Sequence, residues 1–210
     1  MSLPYIKVCG LTTQNAVEAC SVFSCGYNGF IAYEPSPRHL TPQQMQSLGR
    51  YVAKSTKKVL VTVNAKDNYL KKYVDALLPD MLQLHGNENA SRIQDIKDMF
   101  GLPVIKAIAV KDSSDLMAAS SFFNVANMLL LDTKKEHGGS GGTGMCFDWS
   151  ILKDFHSPLP YFLSGGICKY NVKQALELGH TPYIDISSSL EVQKGVKSTT
   201  KIKDFFAELS

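Results

Sequence analysis

Short apolar runs alternate with longer amphipathic segments along the whole 210-residue chain. Most of the runs are continuously apolar, which is typical of parallel strands that are covered on both faces. The pattern predicts eight strands: Tyr5–Cys9, Gly29–Tyr33, Val59–Val63, Met81–His85, Val104–Ala107, Met128–Asp132, Tyr161–Ser164 and Tyr183–Ser187.

The segments between these runs carry helix signals. Thr41 followed by Pro42 and Gln44 predicts an N-cap, a proline at the first helical position and a capping box. Glycines after an apolar face are expected to close helices. Further helices are predicted after Ser91 up to Gly101, from Phe147, from Tyr170 up to Gly179, and over 201–209.

Eight strand–helix units in a chain of this length match a small (β/α)8 barrel, also called a TIM barrel. We see no linker or low-complexity stretch, so we predict a single α/β domain over residues 1–210. A doubly wound open sheet is the competing architecture. Its Gly-x-Gly-x-x-Gly turn is missing after the first predicted strand, which favours the barrel.

Charge and cysteine content narrow the class of protein. A net charge of +3 with scattered basic residues does not indicate nucleic-acid binding. The start of the chain lacks an apolar signal core and no stretch reaches membrane-spanning length. The odd cysteine count and the lack of a Cys-x-x-Cys pair favour a reducing cytosol over a disulfide framework or a zinc site. The cysteines are Cys9, Cys20, Cys25, Cys146 and Cys168.

Polar side chains are concentrated where predicted strands end. Lys7 and Cys9 share one side of the first strand, and Asp132 ends the sixth. If the apolar residues face the helices, the polar ones fall together inside the barrel. Active sites of such barrels lie at the C-terminal ends of the strands. The other inward polar residues are Gln83 and His85 on the fourth strand, and Asp185 and Ser187 on the eighth.

Three loops after the last strands are rich in glycine and serine. The segment 138–144 supplies five glycines, and two similar loops follow the seventh and eighth strands. Backbone amides of such loops approach an anion closely, so we predict a phosphate site after strands 6–8. The alternative for the first loop is a flexible surface segment beside a solvated aspartate. The loop residues concerned are Gly142, Thr143, Gly144, Ser164, Gly165, Gly166, Ser187 and Ser188.

Two further residues have both a functional and a structural interpretation. Cys9 ends a strand and is followed by Gly10, but a buried cysteine is often only part of the core. Lys7 is expected either to favour the Cys9 thiolate or to neutralise a buried carboxylate such as Asp185.

Arg38 and His85 follow predicted strands, where they would overhang the barrel mouth. Arg38 suits a substrate carboxylate through a bidentate pair, or it is a surface arginine in a proline-rich turn. His85 would cap the pocket or contact the substrate, although a lone histidine is usually structural.

Taken together, these motifs resemble the phosphoribosylanthranilate isomerase family of tryptophan biosynthesis. The resemblance runs in order along nearly the whole chain. It is carried by Lys-Val-Cys-Gly-Leu-Thr at 7–12, Ser-Pro-Arg at 36–38, Leu-Gln-Leu-His-Gly at 82–86, Leu-Asp at 131–132, Gly-Gly-Thr-Gly-Met-Cys-Phe-Asp-Trp at 141–149, Leu-Ser-Gly-Gly at 163–166 and Asp-Ile-Ser-Ser at 185–188.

The resemblance implies an Amadori rearrangement of an aminoaldose to an aminoketose, without metal or cofactor. It implies Asp132 as general acid, with a pKa raised by partial burial, and Cys9 as general base. It also implies that Arg38 holds the anthranilate carboxylate. The predicted substrate-binding residues are Arg38, His85, Gly142, Thr143, Gly144, Gly165, Gly166, Asp185, Ser187 and Ser188.

Two positions depart from the family pattern. Ser189 stands where the family has glycine, which would weaken phosphate binding if that glycine has positive φ or approaches phosphate closely. Ser198 replaces an acidic residue, and Ser198 or Thr199 is expected to cap the last helix. Closure of the loop 134–140 over substrate is a further hypothesis.

The rival interpretations are a sister phosphate-binding isomerase or cyclase, a barrel that binds a phosphorylated ligand without turnover, and a structural protein. Cys9 at the end of the first strand speaks against the sister enzymes, which more often use paired carboxylates or a lysine. The expected partner is a small phosphorylated substrate, with no nucleic acid and no membrane. The chain is expected to be a monomer or a homodimer, and the sequence does not decide between them.

Overall fold

Eight parallel strands form a closed barrel in which each strand pairs with the next and β8 pairs with β1. The structure is a computed structural model that describes residues 4–23, 25–134 and 146–209. The strands are β1 (Tyr5–Cys9), β2 (Tyr27–Ala32), β3 (Lys57–Thr62), β4 (Met81–Leu84), β5 (Val104–Val110), β6 (Met128–Thr133), β7 (Tyr161–Leu163) and β8 (Tyr183–Ile186).

All eight predicted strands are therefore confirmed, with differences at their ends. Both β2 and β3 begin two residues before the predicted positions. Their first residues, Tyr27 and Lys57, pair in register with each other, although Lys57 is too polar to be counted in an apolar run. Strand β5 extends to Val110 because its last residues pair along β6 up to Thr133.

Seven α-helices pack around the barrel in the described part of the chain. Two predicted ends are confirmed: Thr41 forms the capping box with Gln44, and Gly101 closes its helix in the left-handed region at φ 65°. The helices are α1 (Gln14–Val22), α2 (Pro42–Gly49), α3 (Asp67–Leu77), α4 (Ala90–Phe100), α5 (Ser113–Ala118), α6 (Val172–Leu178) and α7 (Thr199–Ala207).

Several predicted helix ends differ from the structure in detail. The last helix, predicted over 201–209, covers Thr199–Ala207. Helix α4 is capped by Asn89, whose side chain accepts from the Arg92 amide at 2.9 Å, so the helix begins before Ser91. The helix predicted to begin at Tyr170 begins two residues later, at Val172. Gly179 follows α6 with φ −75°, and the left-handed residue is His180, at φ 47°.

The segment after β6 is a 3₁₀ turn rather than the predicted α-helix. It covers Trp149–Asp154, and the Asp148 side chain caps it by accepting from the Ser150 amide at 2.9 Å. Phe155 is already extended, so the segment ends after six residues.

The barrel interior is mostly an apolar core. This corrects the expectation that inward positions are chiefly polar, since hydrophobic side chains also fill the inner layers. The polar groups are left at the C-terminal end, where the site lies. The buried inner cluster consists of Cys9, Val59, Val61, Met81, Ile105, Ala107, Met128, Leu130 and Phe162.

Within the described residues, no helix is both long and apolar enough to cross a bilayer.

Candidate active site

Cys9 is the last residue of β1 and lies beside the Lys7 side chain inside the barrel mouth. Its exposed fraction is 7%, and that of Lys7 is 0%. The neighbouring Gly29 of β2 leaves room for both groups: a Cβ there would lie 3.0 Å from Cys9 Sγ and 3.3 Å from Lys7 Nζ. The predicted shared orientation of Lys7 and Cys9 is confirmed.

The Lys7 ammonium makes an ion pair with a carboxylate of the adjacent strand. Lys7 Nζ lies 2.7 Å from Asp185 Oδ1, and Ser164 Oγ donates to Asp185 Oδ2 at 3.2 Å. Burial lowers the pKa of Lys7, but Asp185 and Cys9 together raise it above its ordinary value. Lys7 thus neutralises Asp185, as one of the two alternatives predicted. The substrate-binding role of Asp185 stays a prediction.

Burial dominates the ionisation of Cys9. It raises the pKa of the thiol, and the Asp185 carboxylate adds to that increase, whereas Lys7 and Lys197 oppose it. The net direction is upward, so the thiolate needs its neighbouring cations if it is to be populated near neutral pH.

Asp132 lies near the end of β6 at the barrel mouth, with 26% of its side chain exposed. Its Oδ1 accepts from the Thr133 amide at 2.9 Å, and its Oδ2 lies 3.4 Å from His85 Nε2. The carboxyl group is therefore held by β6 itself and by a side chain that follows β4.

His85 is oriented by a buried amide two residues earlier. Gln83 Nε2 lies 2.8 Å from His85 Nδ1, and Gln83 is fully buried. When the amide donates, Nδ1 is the acceptor and the imidazole carries its hydrogen on Nε2, facing Asp132. Gln83 and His85 thus share one side of the fourth strand, as predicted.

The loop that follows His85 is fixed by a buried ion pair that sequence reasoning missed. Lys106 Nζ lies 2.9 Å from Glu88 Oε2 and donates to the Gly86 carbonyl at 2.6 Å. Glu88 Oε1 accepts from the Asn64 amide at 2.7 Å. The only sequence signal was a lysine inside the apolar β5 run.

Arg38 lies at the mouth, as predicted, but it is buried and already paired. Its Nε and one terminal nitrogen donate to the two carboxylate oxygens of Glu191 at 2.6 and 2.9 Å. Gly10, at φ 77°, packs against the aliphatic part of Arg38, where a Cβ would collide with it. The surface alternative for Arg38 is therefore wrong.

Glu191 is the centre of a charge cluster that the sequence reasoning did not identify. It starts β9 (Glu191–Gln193), which pairs with β10 (Val196–Lys197) in a hairpin after β8. Lys197 Nζ lies 2.6 Å from Glu191 Oε1, and the Gly195 amide donates to Oε2 at 3.1 Å. Although burial raises the pKa of Glu191, Arg38 and Lys197 lower it to about 2.

The loops after β7 and β8 present backbone amides at the mouth. Gly165 and Gly166 have φ values of 88° and 68°, and Ser188 begins a 3₁₀ turn that ends at Leu190. Within the described ranges, the amides of Gly165, Gly166 and Ser188 have no acceptor. These groups are available to an anion. Gly142, Thr143, Gly144 and the loop 135–140 lie outside the described residues.

The departures from the family pattern are accommodated by side-chain hydrogen bonds. Ser189 lies in the 188–190 turn without a positive φ, and its Oγ donates to the Ile167 carbonyl at 2.6 Å. This bond joins the β7 and β8 loops. Ser187 Oγ donates to the Cys9 carbonyl at 2.9 Å. Ser198 caps α7 by accepting from the Lys201 amide at 3.2 Å, as predicted.

Nothing in the described part of the chain groups three or more histidine, cysteine, aspartate or glutamate side chains closely enough to hold a metal ion. The chemistry visible at the mouth is that of a thiol, a carboxyl group and their charged neighbours.

Comparison with known proteins indicates the family to which the chain belongs. The family model described as N-(5'phosphoribosyl)anthranilate (PRA) isomerase matches residues 6–208. The N-(5'-phosphoribosyl)anthranilate isomerase of Agrobacterium fabrum is 40% identical over 205 residues, which cover 97% of this chain and 93% of that protein.

Solved structures show the same architecture. The phosphoribosyl anthranilate isomerase of Thermotoga maritima superposes with a TM-score of 0.85 at 28% identity, covering 99% of this chain and 98% of that one. A phosphoribosyl anthranilate isomerase in complex with reduced 1-(o-carboxyphenylamino)-1-deoxyribulose 5-phosphate superposes with a TM-score of 0.86 at 24% identity, covering 99% and 98%. The chain therefore belongs to the N-(5'-phosphoribosyl)anthranilate isomerase family.

Proposed function

We propose that the isomerisation of N-(5'-phosphoribosyl)anthranilate takes place at the C-terminal end of this barrel, between Cys9 and Asp132. The observation that carries the proposal is the placement of these two groups. Cys9 ends β1 and Asp132 lies near the end of β6, with only β7 and β8 between them around one side of the barrel. A substrate seated over the mouth meets a base from one strand and an acid from the other.

The reaction needs two proton transfers and no change in overall oxidation state. The Asp132 carboxyl group donates its proton to the furanose ring oxygen, the bond from that oxygen to C1 breaks, and the aryl nitrogen lone pair forms a Schiff base at C1. The Cys9 thiolate then removes the proton from C2. The electron pair of that C–H bond forms the C1–C2 double bond of an enolamine, which becomes the aminoketose by tautomerisation.

The charges around the two groups suit these roles. Asp132 acts in its protonated form, and its partial burial favours that form. Cys9 acts as the thiolate, which burial disfavours and the Lys7 ammonium favours. General acid–base steps of this kind contribute about 10²–10⁴-fold each when the geometry is right.

Two anionic ends of the substrate have complementary groups at the mouth. Glu191 engages Nε and one terminal nitrogen of Arg38, which leaves the other terminal nitrogen to bind the anthranilate carboxylate. The amides of Gly165, Gly166 and Ser188 are the donors for the phosphate. The proposed phosphate site also includes the loop 142–144.

A cytosolic location is part of this proposal. All five cysteines are free thiols, two of them, Cys146 and Cys168, at least partly exposed, which suits a reducing compartment.

The test is the steady-state loss of anthranilate-type fluorescence with freshly generated substrate. We compare the unmodified chain with the C9A and D132A variants, and use C20A as a matched removal of a buried thiol on the outer helix α1, away from the mouth. We expect turnover by the unmodified chain and by C20A, and a loss of at least about a hundredfold in each of the other two while they remain folded.

Near-normal turnover by C9A or D132A would contradict the assignment of that residue. No turnover by the unmodified chain, together with thermal stabilisation by phosphate, would instead favour a barrel that binds a phosphorylated ligand without converting it.

A further inference from the structure

The buried cluster of Arg38, Glu191 and Lys197 contains two cations and one anion. The exposed fractions of the three residues are 6%, 8% and 4%. Both oxygens of Glu191 are taken by Arg38, and Oε1 also lies 2.6 Å from Lys197 Nζ. The cluster therefore carries one surplus positive charge away from water, which is costly unless an anion lies nearby.

The surplus charge lies next to the end of β1. Lys197 Nζ is 3.4 Å from Ser187 Oγ, and that hydroxyl donates to the backbone carbonyl of Cys9 at 2.9 Å. On the other side, Gly10, which follows Cys9, packs against the aliphatic part of Arg38. The cluster thus borders the backbone of Cys9 and Gly10 through both of its cationic residues.

The other charged groups that act on Cys9 oppose one another. Lys7 on the same strand and Asp185 on β8 form an ion pair at 2.7 Å, and Lys7 favours the thiolate whereas Asp185 disfavours it. Lys197 from the hairpin also favours the thiolate. An ionised Cys9 would thus bring a negative charge next to the surplus positive charge of the cluster.

We propose that Lys197 is a positioning residue for the catalytic base, because the surplus charge of the Arg38–Glu191–Lys197 cluster stabilises the Cys9 thiolate. The inference rests on the proposed role of Cys9 as the base. In this proposal the β9–β10 hairpin acts electrostatically on Cys9 through Lys197, whereas Arg38 contacts the substrate. Because water screens charges weakly in a buried site, the removal of this cation should be visible in the titration of one thiol.

The experiment follows the alkylation rate of Cys9 by iodoacetamide as a function of pH. Mass spectrometry of the peptide that carries Cys9 separates its signal from those of the other four cysteines. Relative to the unmodified chain, K197M should titrate with a higher pKa for Cys9 and be alkylated about tenfold more slowly at pH 7. K197R, which keeps the charge, should restore most of the rate.

Lys201, in the first turn of α7 after the hairpin, offers a matched control. Its Nζ donates to the backbone carbonyl of Glu191 at 2.6 Å, outside the charge cluster. K201M removes a cation and a contact to Glu191 but leaves the surplus unchanged, so its Cys9 titration should match that of the unmodified chain.

K197M leaves a balanced Arg38–Glu191 pair, which favours folding of the variant. If it fails to fold, K197Q removes the charge while its amide can still donate to Glu191. An unshifted Cys9 titration in a folded neutral variant would overturn the inference, even if isomerase activity falls. Since alkylation needs no isomerase substrate, loss of the proposed function in the unmodified chain would be seen separately.

Discussion

His85 Nε2 lies 3.4 Å from Asp132 Oδ2, and Gln83 holds the other side of the imidazole with its amide 2.8 Å from Nδ1. A hydrogen on Nε2 that faces a carboxyl oxygen favours the ionised form of that carboxyl group. The proposed acid, however, has to carry a proton when it acts. His85 therefore orients Asp132 through this contact and, as a donor to the carboxylate, opposes its protonation.

Removal of the His85 donor should shift the pH dependence of the reaction. H85A removes a donor that favours the ionised form of the Asp132 carboxyl group, so the limb of the kcat/KM profile that Asp132 governs should move to higher pH. H85Q can place an amide near the former Nε2 position and should move the limb much less. Steady-state rates across pH measure both variants. An unmoved limb in H85A would show that the 3.4 Å contact does not tune the acid.

The barrel was predictable because local patterns decide it. Continuous apolar runs such as 128–131 and the capping signals at Thr41 depend only on neighbouring residues. The side of the strand that carries Lys7 and Cys9 follows from the period-2 geometry of a strand. The positions of these residues at the mouth therefore followed once eight strands had been counted.

The charge partners were not predictable in the same way, because they join distant parts of the chain. Arg38 and Glu191 are 153 positions apart, and nothing local to Arg38 indicates that its guanidinium will be buried against a carboxylate. The Glu88–Lys106 pair forms only because the loop after β4 meets the side chain of a lysine in β5. The expectation of weaker phosphate binding at Ser189 had two possible grounds. A positive φ is excluded, because this position does not have one, whereas a close approach to phosphate stays a prediction.

Removing one partner of the buried Lys7–Asp185 pair should cost far more stability than removing one partner of a surface pair. Both residues are buried, so K7M leaves an unpaired carboxylate in the barrel and should lower the free energy of unfolding by about 3–5 kcal/mol. The double variant K7M/D185N removes both charges and should recover much of that loss. Urea unfolding monitored by circular dichroism measures each free energy.

The exposed Lys71–Asp75 pair is the matched control for the K7M and K7M/D185N variants. Its atoms are 3.2 Å apart on one helix face, and the two side chains are 69% and 62% exposed. K71M should therefore change the free energy of unfolding by less than about 0.5 kcal/mol. Equal losses in K7M and K71M would contradict the view that burial sets the cost.

Glu191 should make the protein sensitive to acid in a defined pH window. Its pKa is lowered from 4.5 to about 2 in the folded state, so its stabilising contribution is complete above pH 4.5 and is lost as the pH falls towards 2. The contribution amounts to at most about 3 kcal/mol. As the pH falls across this window, the unmodified chain should lose more of its free energy of unfolding than E191Q does. The difference between the two losses should be at most about 3 kcal/mol.

Comparison with E191Q isolates Glu191, because Glu88, whose pKa is also lowered, titrates in both proteins. Denaturant unfolding at several pH values between 6 and 2.5 gives the difference between the two curves. A difference that stays constant with pH would show that the Glu191 carboxylate is not specially stabilised by Arg38 and Lys197.

Gly165 should be required for catalysis as well as for stability, because of what lies next to it. It has φ 88°, and a Cβ would come within 2.7 Å of the Thr133 backbone nitrogen, the group that donates to Asp132. Gly101 also has positive φ, at 65°, but a Cβ there would meet nothing within 4 Å. Comparing alanine substitutions at Gly165 and Gly101 therefore separates the cost of a strained backbone from the cost of a steric collision.

We expect G101A to lower the free energy of unfolding by about 1–2 kcal/mol, from the left-handed backbone alone, with kcat unchanged. G165A should cost more and lower kcat about tenfold or further, since Thr133 must shift and the acid shifts with it. Thermal unfolding and steady-state kinetics of both variants test this. If G165A lost stability to the same extent as G101A and kept its kcat, the close approach of the β7 loop to Thr133 would have no part in positioning Asp132.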